Sequence, residues 1–213
     1  MGPALHPAPE LIRMAGLELR QFKGADLEPI DLAIAPGECV TLTGPSGSGK
    51  TRLLRAIADL DTNRGEASSG ELNLQQAPAH LWRRRVGLLP AESHWWYDRV
   101  GDHFTRPEKE KIAALGLDPA CLEWEVGRLS SGERQRLALA RLLDRKPGVL
   151  LLDEPTANLD PENCQRVEQL LQRYASEQNA ALLWVSHDPA QRQRVGQRRL
   201  KIRERRLETE TGG

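Results

Sequence analysis

The chain has 213 residues, enough for one domain of one or two lobes whose core can fold by itself. Lysine plus arginine, 30, equals aspartate plus glutamate, 30, a balance that gives no sign of a general binder of nucleic acid or anionic membrane surface. The three cysteines, Cys39, Cys121 and Cys164, lie far apart and match no metal spacing, so reduced, mostly buried thiols and a cytoplasmic setting are expected rather than a disulfide framework.

The first ten residues, MGPALHPAPE, lack the basic start and apolar core of a signal peptide, and position 6 is not the Ser or Thr of a myristoylation pattern. They read as a flexible, proline-broken tail. Segments such as LELRQF and IDLAI, within about 11–34, alternate like antiparallel strands, and GEC after Pro36 marks the turn into the next strand. CVTLT, VGLLP, VLLLD and ALLWVS are short, apolar and bounded by breakers, like buried parallel strands. Helical patterns at 50–59, 132–143 and Pro161–Gln178 alternate with them, which predicts an α/β parallel sheet. The stretch 91–146 differs; it holds PEKEKIAALGL and the aromatic run Trp95-Trp96-Tyr97, and reads as a small helical lobe inserted into the core. Seven arginines between Gln191 and Leu207 could form a nucleic-acid arm; since acidic residues return at once, a final strand pair, RRLKI and RRLE, is the preferred reading. No apolar run is long enough to span a bilayer.

Four stretches carry chemistry. GPSGSGKT, at 44–51, follows an apolar strand and opens a helix, the context that a phosphate loop requires. Its glycines Gly44, Gly47 and Gly49 let successive amides turn inward onto phosphates, Lys50 reaches the β- and γ-phosphates, and the Thr51 hydroxyl can ligate Mg²⁺. GVLLLDEP, about one hundred residues later, ends a strand in two carboxylates, with Asp153 suited to hold Mg²⁺ and Glu154 to orient or deprotonate a water. VSHD ends a further strand, where His187 could hydrogen-bond a γ-phosphate or be merely structural. LSSGERQRLALARLL, from Leu129, opens another helix with a Ser/Gly turn, a second anion-seeking start with no second nucleotide motif to match.

These motifs, in this order, resemble those of the nucleotide-binding subunits of ATP-binding cassette (ABC) transporters over about 11–208. GPSGSGKT (Gly44, Pro45, Ser46, Gly47, Ser48, Gly49, Lys50, Thr51, then Arg52) resembles the Walker A loop, and VLLLDE the Walker B strand. LSSGE (Ser130, Ser131, Gly132, Glu133) resembles the signature turn, ANLD ending in Asp160 the D-loop, and SHD the switch-histidine loop. The resemblance implies a P-loop NTPase parallel-sheet core, an N-terminal antiparallel β subdomain and an inserted small α-helical subdomain. The core lobe is expected at about 11–90 and 147–208, and the helical lobe at about 91–146. It also implies ATP and Mg²⁺ as ligands and Glu154, His187 and Lys50 as catalytic groups. Two chains would pair head to tail, a homodimer, each signature turn capping the ATP held by the other's Walker A loop. Partners would be separate transmembrane permease subunits, placing the chain on the cytoplasmic face of the inner membrane, with no direct nucleic-acid contact expected.

The sequence departs from the family pattern in two places. Ala91, in LLPAES, stands where most members have a glutamine that contacts Mg²⁺ and the attacking water; alanine cannot make those bonds. The helical lobe is short, and Trp95-Trp96-Tyr97 falls where a permease helix would dock, so these rings either anchor that partner or pack the lobe. Phe22 is the one candidate to stack on adenine, a core phenylalanine being the alternative. ERQRLALARLL and DEPTANLD look most like bacterial exporter-type ATPases, with transport direction and substrate open. A soluble ABC ATPase acting on nucleic acid or ribosomes, and a weakly hydrolysing regulatory module, stay as alternatives.

Overall fold

The computed structural model describes residues 16–24 and 26–210, so the tail expected at 1–10 lies outside the described residues. Two sheets form. The first contains β1 (Leu17–Gly24), β2 (Ile30–Ile34), β4 (Asn63–Ser69) and β5 (Leu72–Asn73), all antiparallel, in the order β2-β1-β4-β5. The second contains β3 (Cys39–Thr43), β6 (Val86–Leu89), β7 (Val149–Asp153), β8 (Ala181–Val185), β9 (Arg198–Arg203) and β10 (Arg206–Thr209), in the order β10-β9-β3-β8-β7-β6. It is parallel except for the β9–β10 pair, the strand pair expected from the arginine-rich C-terminus.

The helices are α1 (Lys50–Ile57), α2 (Ala79–Arg85), α3 (Lys109–Ala114), α4 (Ser131–Asp144), α5 (Pro161–Gln178) and α6 (Pro189–Val195). Strands β3, β7 and β8 are buried at every position. Alternate residues of β7 serve two cores. Val149 and Leu151 join α1 and the antiparallel sheet, whereas Leu150 and Leu152 join α4 and α5. That is why these strands read as unbroken apolar runs rather than alternating ones. Trp82 of α2 seals the first core, fully buried, with Nε1 donating to Ile57 O at 2.8 Å.

β1 shifts register between Leu19 and Phe22, with Gln21 at φ 46°. Opposite this bulge a Cβ on Gly65 (φ +84°) would lie 2.1 Å from Gln21 O, so only glycine admits the approach. The bulge turns Phe22 into the core, where it is completely buried. A ring without an exposed face cannot stack on adenine, which corrects the expectation for Phe22.

The parallel strands share one direction, so their C-terminal ends share one edge. β3 delivers 44–49 there, β6 the 90–93 turn, β7 Asp153 and Glu154, and β8 Ser186 and His187, with Val185 in register with both Leu42 and Asp153.

Candidate functional site

Between β3 and α1 the backbone takes positive φ at Gly44 (155°), Gly47 (75°) and Gly49 (98°). Gly49 caps α1 with no side-chain bond, which leaves the first amides of the helix for a ligand. Lys50 is buried, and its ammonium donates to Gly44 O at 2.9 Å and Pro45 O at 3.0 Å across the loop. Burial lowers its pKa; Glu154 and Asp153 nearby work against that shift without cancelling it. Pro45 O also accepts from Ser48 N, and Ser46 is exposed. Ser48 Oγ is buried with no partner, an orphan hydroxyl inside a loop of inward amides that fits an anion. Arg52 points outward and pairs with Asp26 at 2.7 Å.

Thr51 Oγ1 donates to Asp153 Oδ2 at 2.7 Å. Burial raises the Asp153 pKa and neighbouring Glu154 adds to it, while the Thr51 bond and Lys50 oppose. Glu154 follows with φ 50°, a left-handed backbone uncommon for glutamate, held by its N–H donating to Val185 O at 3.2 Å. This turn carries its carboxylate to 3.2 Å from His187 Nε2. Both side chains are partly exposed and face a cleft of about 370 Å³ that Thr156, Leu159 and Gln191 also line. Four expected site residues, Thr51, Asp153, Glu154 and His187, thus meet at one sheet edge. Among the described residues no three His, Cys, Asp or Glu groups form a metal cage; a Mg²⁺ held by one hydroxyl, one carboxylate and substrate phosphates needs none.

The signature turn is folded on itself. Ser130 Oγ accepts from Glu133 N at 3.3 Å, and Glu133 Oε2 accepts from Ser130 N at 2.8 Å, a capping box for α4. The Ser130 bonds hold the Glu133 carboxyl below its usual pKa. Ser131 is exposed at the helix start, and a Cβ on Gly132 would sit 3.1 Å from Leu159 Cδ2. Asp160 caps α5, accepting from Asn163 N at 3.0 Å, so this carboxylate is occupied locally. Among the described residues no hydrogen bond or ion pair joins 130–133 to 44–52.

Ala91 is exposed. The turn it occupies is fastened instead by Gln135 of α4, which donates to Pro90 O at 3.2 Å and accepts from Ser93 Oγ at 2.8 Å. The aromatic run divides. Trp95 packs against the core and, with Trp96, sandwiches the Arg141 guanidinium at 4.5 and 4.8 Å, while His103 sits 4.7 Å from both rings. Trp96 is 64% and Tyr97 53% exposed.

Gln135, Glu168 and Gln191 were not foreseen as site residues. Glu168 had a signal in the sequence: it interrupts the apolar stripe Val167, Leu170, Leu171 and Tyr174 of α5, and a carboxylate there needs a partner. Nothing local marks the two glutamines.

Comparison with known proteins agrees with this geometry. Residues 27–157 match the family model described as ABC transporter. The phosphate import ATP-binding protein PstB of Aeropyrum pernix is 34% identical, over 92% of this chain and 88% of that protein. The lipoprotein-releasing system ATP-binding protein LolD 2 of Chlorobaculum tepidum is 34% identical over 76% and 75%. Of solved structures, an ATP-binding subunit of an ABC transporter superposes with TM-score 0.81 at 19% identity, covering 92% and 90%. A dimeric post-hydrolysis state of the ATP-binding cassette MJ0796 bound to ADP and Pi superposes with TM-score 0.78 at 24% identity, covering 92% and 100%. These last two likenesses concern the fold.

Proposed function

Because the chain belongs to the ABC transporter family as an ATP-binding subunit, we propose that it binds and hydrolyses ATP with Mg²⁺, as a head-to-tail pair that drives separate permease subunits from the cytoplasmic face. One observation carries this reading: the Thr51–Asp153 and Glu154–His187 pairs converge beside the glycine loop at a single sheet edge. The proposed unit is one ABC ATPase of 11–208, with its core lobe at about 11–90 and 147–208 and its helical lobe at about 91–146.

The amides of 46–51 would surround the β-phosphate, and Lys50 would exchange its carbonyl partners, Gly44 O and Pro45 O, for phosphate oxygens. Thr51 and Asp153 would hold Mg²⁺, which when bound neutralises charge on the β- and γ-phosphates. Glu154 accepts a proton from the water whose oxygen attacks the γ-phosphorus in line, as the bond to the β–γ bridging oxygen breaks and ADP leaves. His187 orients that carboxylate and faces the γ-phosphate oxygens. The amides at the start of α4, from a second copy, supply the remaining donors, so ATP joins two chains through two anion-binding helix starts. That would answer why a chain with one nucleotide motif carries both.

The direct test is phosphate release by the purified chain with ATP and Mg²⁺. Ala91→Gln is expected to raise that turnover several-fold by restoring an amide near the attacking water; an unchanged or lower rate would mean that Ala91 is not a missing contact. The exposed Ala91 also favours a second reading, a regulatory module that binds ATP yet releases negligible phosphate.

The exposed Trp96 and Tyr97 rings support a permease docking surface. Trp96→Ala with Tyr97→Ala is expected to abolish co-purification with the membrane protein while leaving soluble ATP turnover within about two-fold, since exposed side chains contribute little to folding. Retained co-purification would place the docking surface elsewhere. Relatives are named for import and for export, and the proposal assigns neither direction nor substrate.

A further inference from the structure

Behind His187 lies a buried polar hub that the hydrolysis scheme does not use. Gln191 of α6 is 4% exposed, Glu168 of α5 3% and Ser186 5%. The Gln191 amide nitrogen donates to Glu168 Oε1 at 2.8 Å and to Thr156 Oγ1 at 2.9 Å, and its carbonyl oxygen accepts from Ser186 Oγ at 2.7 Å. A carboxylate only accepts, which fixes the end of the amide that faces Glu168. Arg194 clamps Glu168 from the solvent side, its Nε donating to Oε2 at 2.8 Å and its Nη2 to Oε1 at 2.7 Å. Burial pushes the Glu168 pKa up, but the bonds from Arg194 and Gln191 outweigh it and hold the carboxyl below its usual value.

The positions of the bonded groups matter more than their number. Thr156 belongs to the turn that carries Glu154, and Ser186 directly precedes His187. Cys164 Sγ lies 3.5 Å from Leu159 O, at the end of that turn, where the Leu159 side chain borders Gly132 of the signature turn. One amide therefore joins the two turns that bear the Glu154–His187 contact.

We propose that Gln191 is a positioning residue for hydrolysis: seated on the Glu168–Arg194 pair, it locks the 154–160 turn to the 186–188 turn and so sets the spacing of Glu154 and His187. This inference rests on the reading of that pair given above. An amide suits the place because it donates to Thr156 and Glu168 while accepting from Ser186. Leucine of similar size does neither, and glutamate puts a second carboxylate against Glu168. The charged and titratable groups around the hub are Glu168 and Cys164 from α5, Asp188, Arg192 and Arg194 from α6 and its start, Glu154 after β7 and His187 after β8; Arg192, paired with Glu210, also donates to His187 O at 3.2 Å.

The test uses the whole chain, with Gln191→Leu, Gln191→Glu and Glu154→Gln beside the parent. Without nucleotide, Gln191→Leu is expected to speed amide hydrogen exchange in 156–160 and in 186–188 together. Acceleration in only one segment, or in neither, overturns the tie. With ATP and Mg²⁺, its kcat should fall about ten- to a hundred-fold, the cost of misplacing reacting groups, while KM stays within about two-fold. Faster exchange with unchanged kcat overturns the positioning role. For Gln191→Glu, turnover relative to the parent should be low at about pH 8, where both carboxylates are ionised and repel. It should recover towards about pH 6, where a proton shared with Glu168 restores the donor. Dividing by the parent at each pH removes the pH dependence that the two chains share. A flat ratio overturns the proposal, and this arm stands even if the leucine variant folds poorly. If the parent releases no more phosphate than Glu154→Gln, the functional reading fails, while the exchange result still judges the tie.

Discussion

Glu154→Gln is expected to cut phosphate release by about 10²- to 10³-fold, the contribution typical of a general base, and to leave ATP binding intact. Glutamine keeps the shape of the side chain and the left-handed turn beneath it, which β8 holds through Val185. It loses only the ability to accept a proton from water. If ATP joins two chains as proposed, a chain that binds but does not cleave should accumulate as a closed pair. Gel filtration in ATP and Mg²⁺ should therefore give a species of twice the monomer mass, reverting to monomer when nucleotide is removed. Monomer under saturating ATP would count strongly against a site completed by two chains.

Lys50→Met should weaken ATP binding by about ten- to a hundred-fold, the value of one charge-assisted hydrogen bond of about 1.5–3 kcal/mol to phosphate. The methionine fills the same buried volume; what disappears is the cation beside Asp153 and Glu154 together with its bonds to Gly44 O and Pro45 O. Titration with a fluorescent ATP analogue reads the loss, and thermal unfolding without nucleotide reads any damage to the fold. Affinity within about three-fold of the parent would mean that the ammonium serves only to tie Gly44 and Pro45 together.

The strands CVTLT and VLLLD and the helix Pro161–Gln178 occur where their patterns place them, to the residue. Apolar runs and breakers are short-range signals, and the parallel sheet buries both faces, so nothing in tertiary packing opposed them. The antiparallel sheet was legible in LELRQF and IDLAI, but its bulge was not. That bulge depends on Gly65 of another strand approaching Gln21, and it decides that Phe22 is core. The aromatic run reads as one cluster, yet the fold grades it: Trp95 is held against Arg141 and the core, while Trp96, on the other side of Arg141, and Tyr97 keep more than half of their surface in solvent.

The sequence by itself determined which chemical groups stand at which strand ends: Lys50 and Thr51 after β3, Asp153 and Glu154 after β7, and His187 after β8. It could do so because a strand's length and the residue that closes it are written consecutively. Only the tertiary structure decided how those ends sit against one another. The 3.2 Å contact of Glu154 with His187, the Gln135 fastening of the Ala91 turn and the Gln191 bridge between two loops all join segments distant in sequence. Each depends on the register of the parallel strands and on which polar atoms are left needing a partner once water is excluded, and neither is set by neighbouring residues.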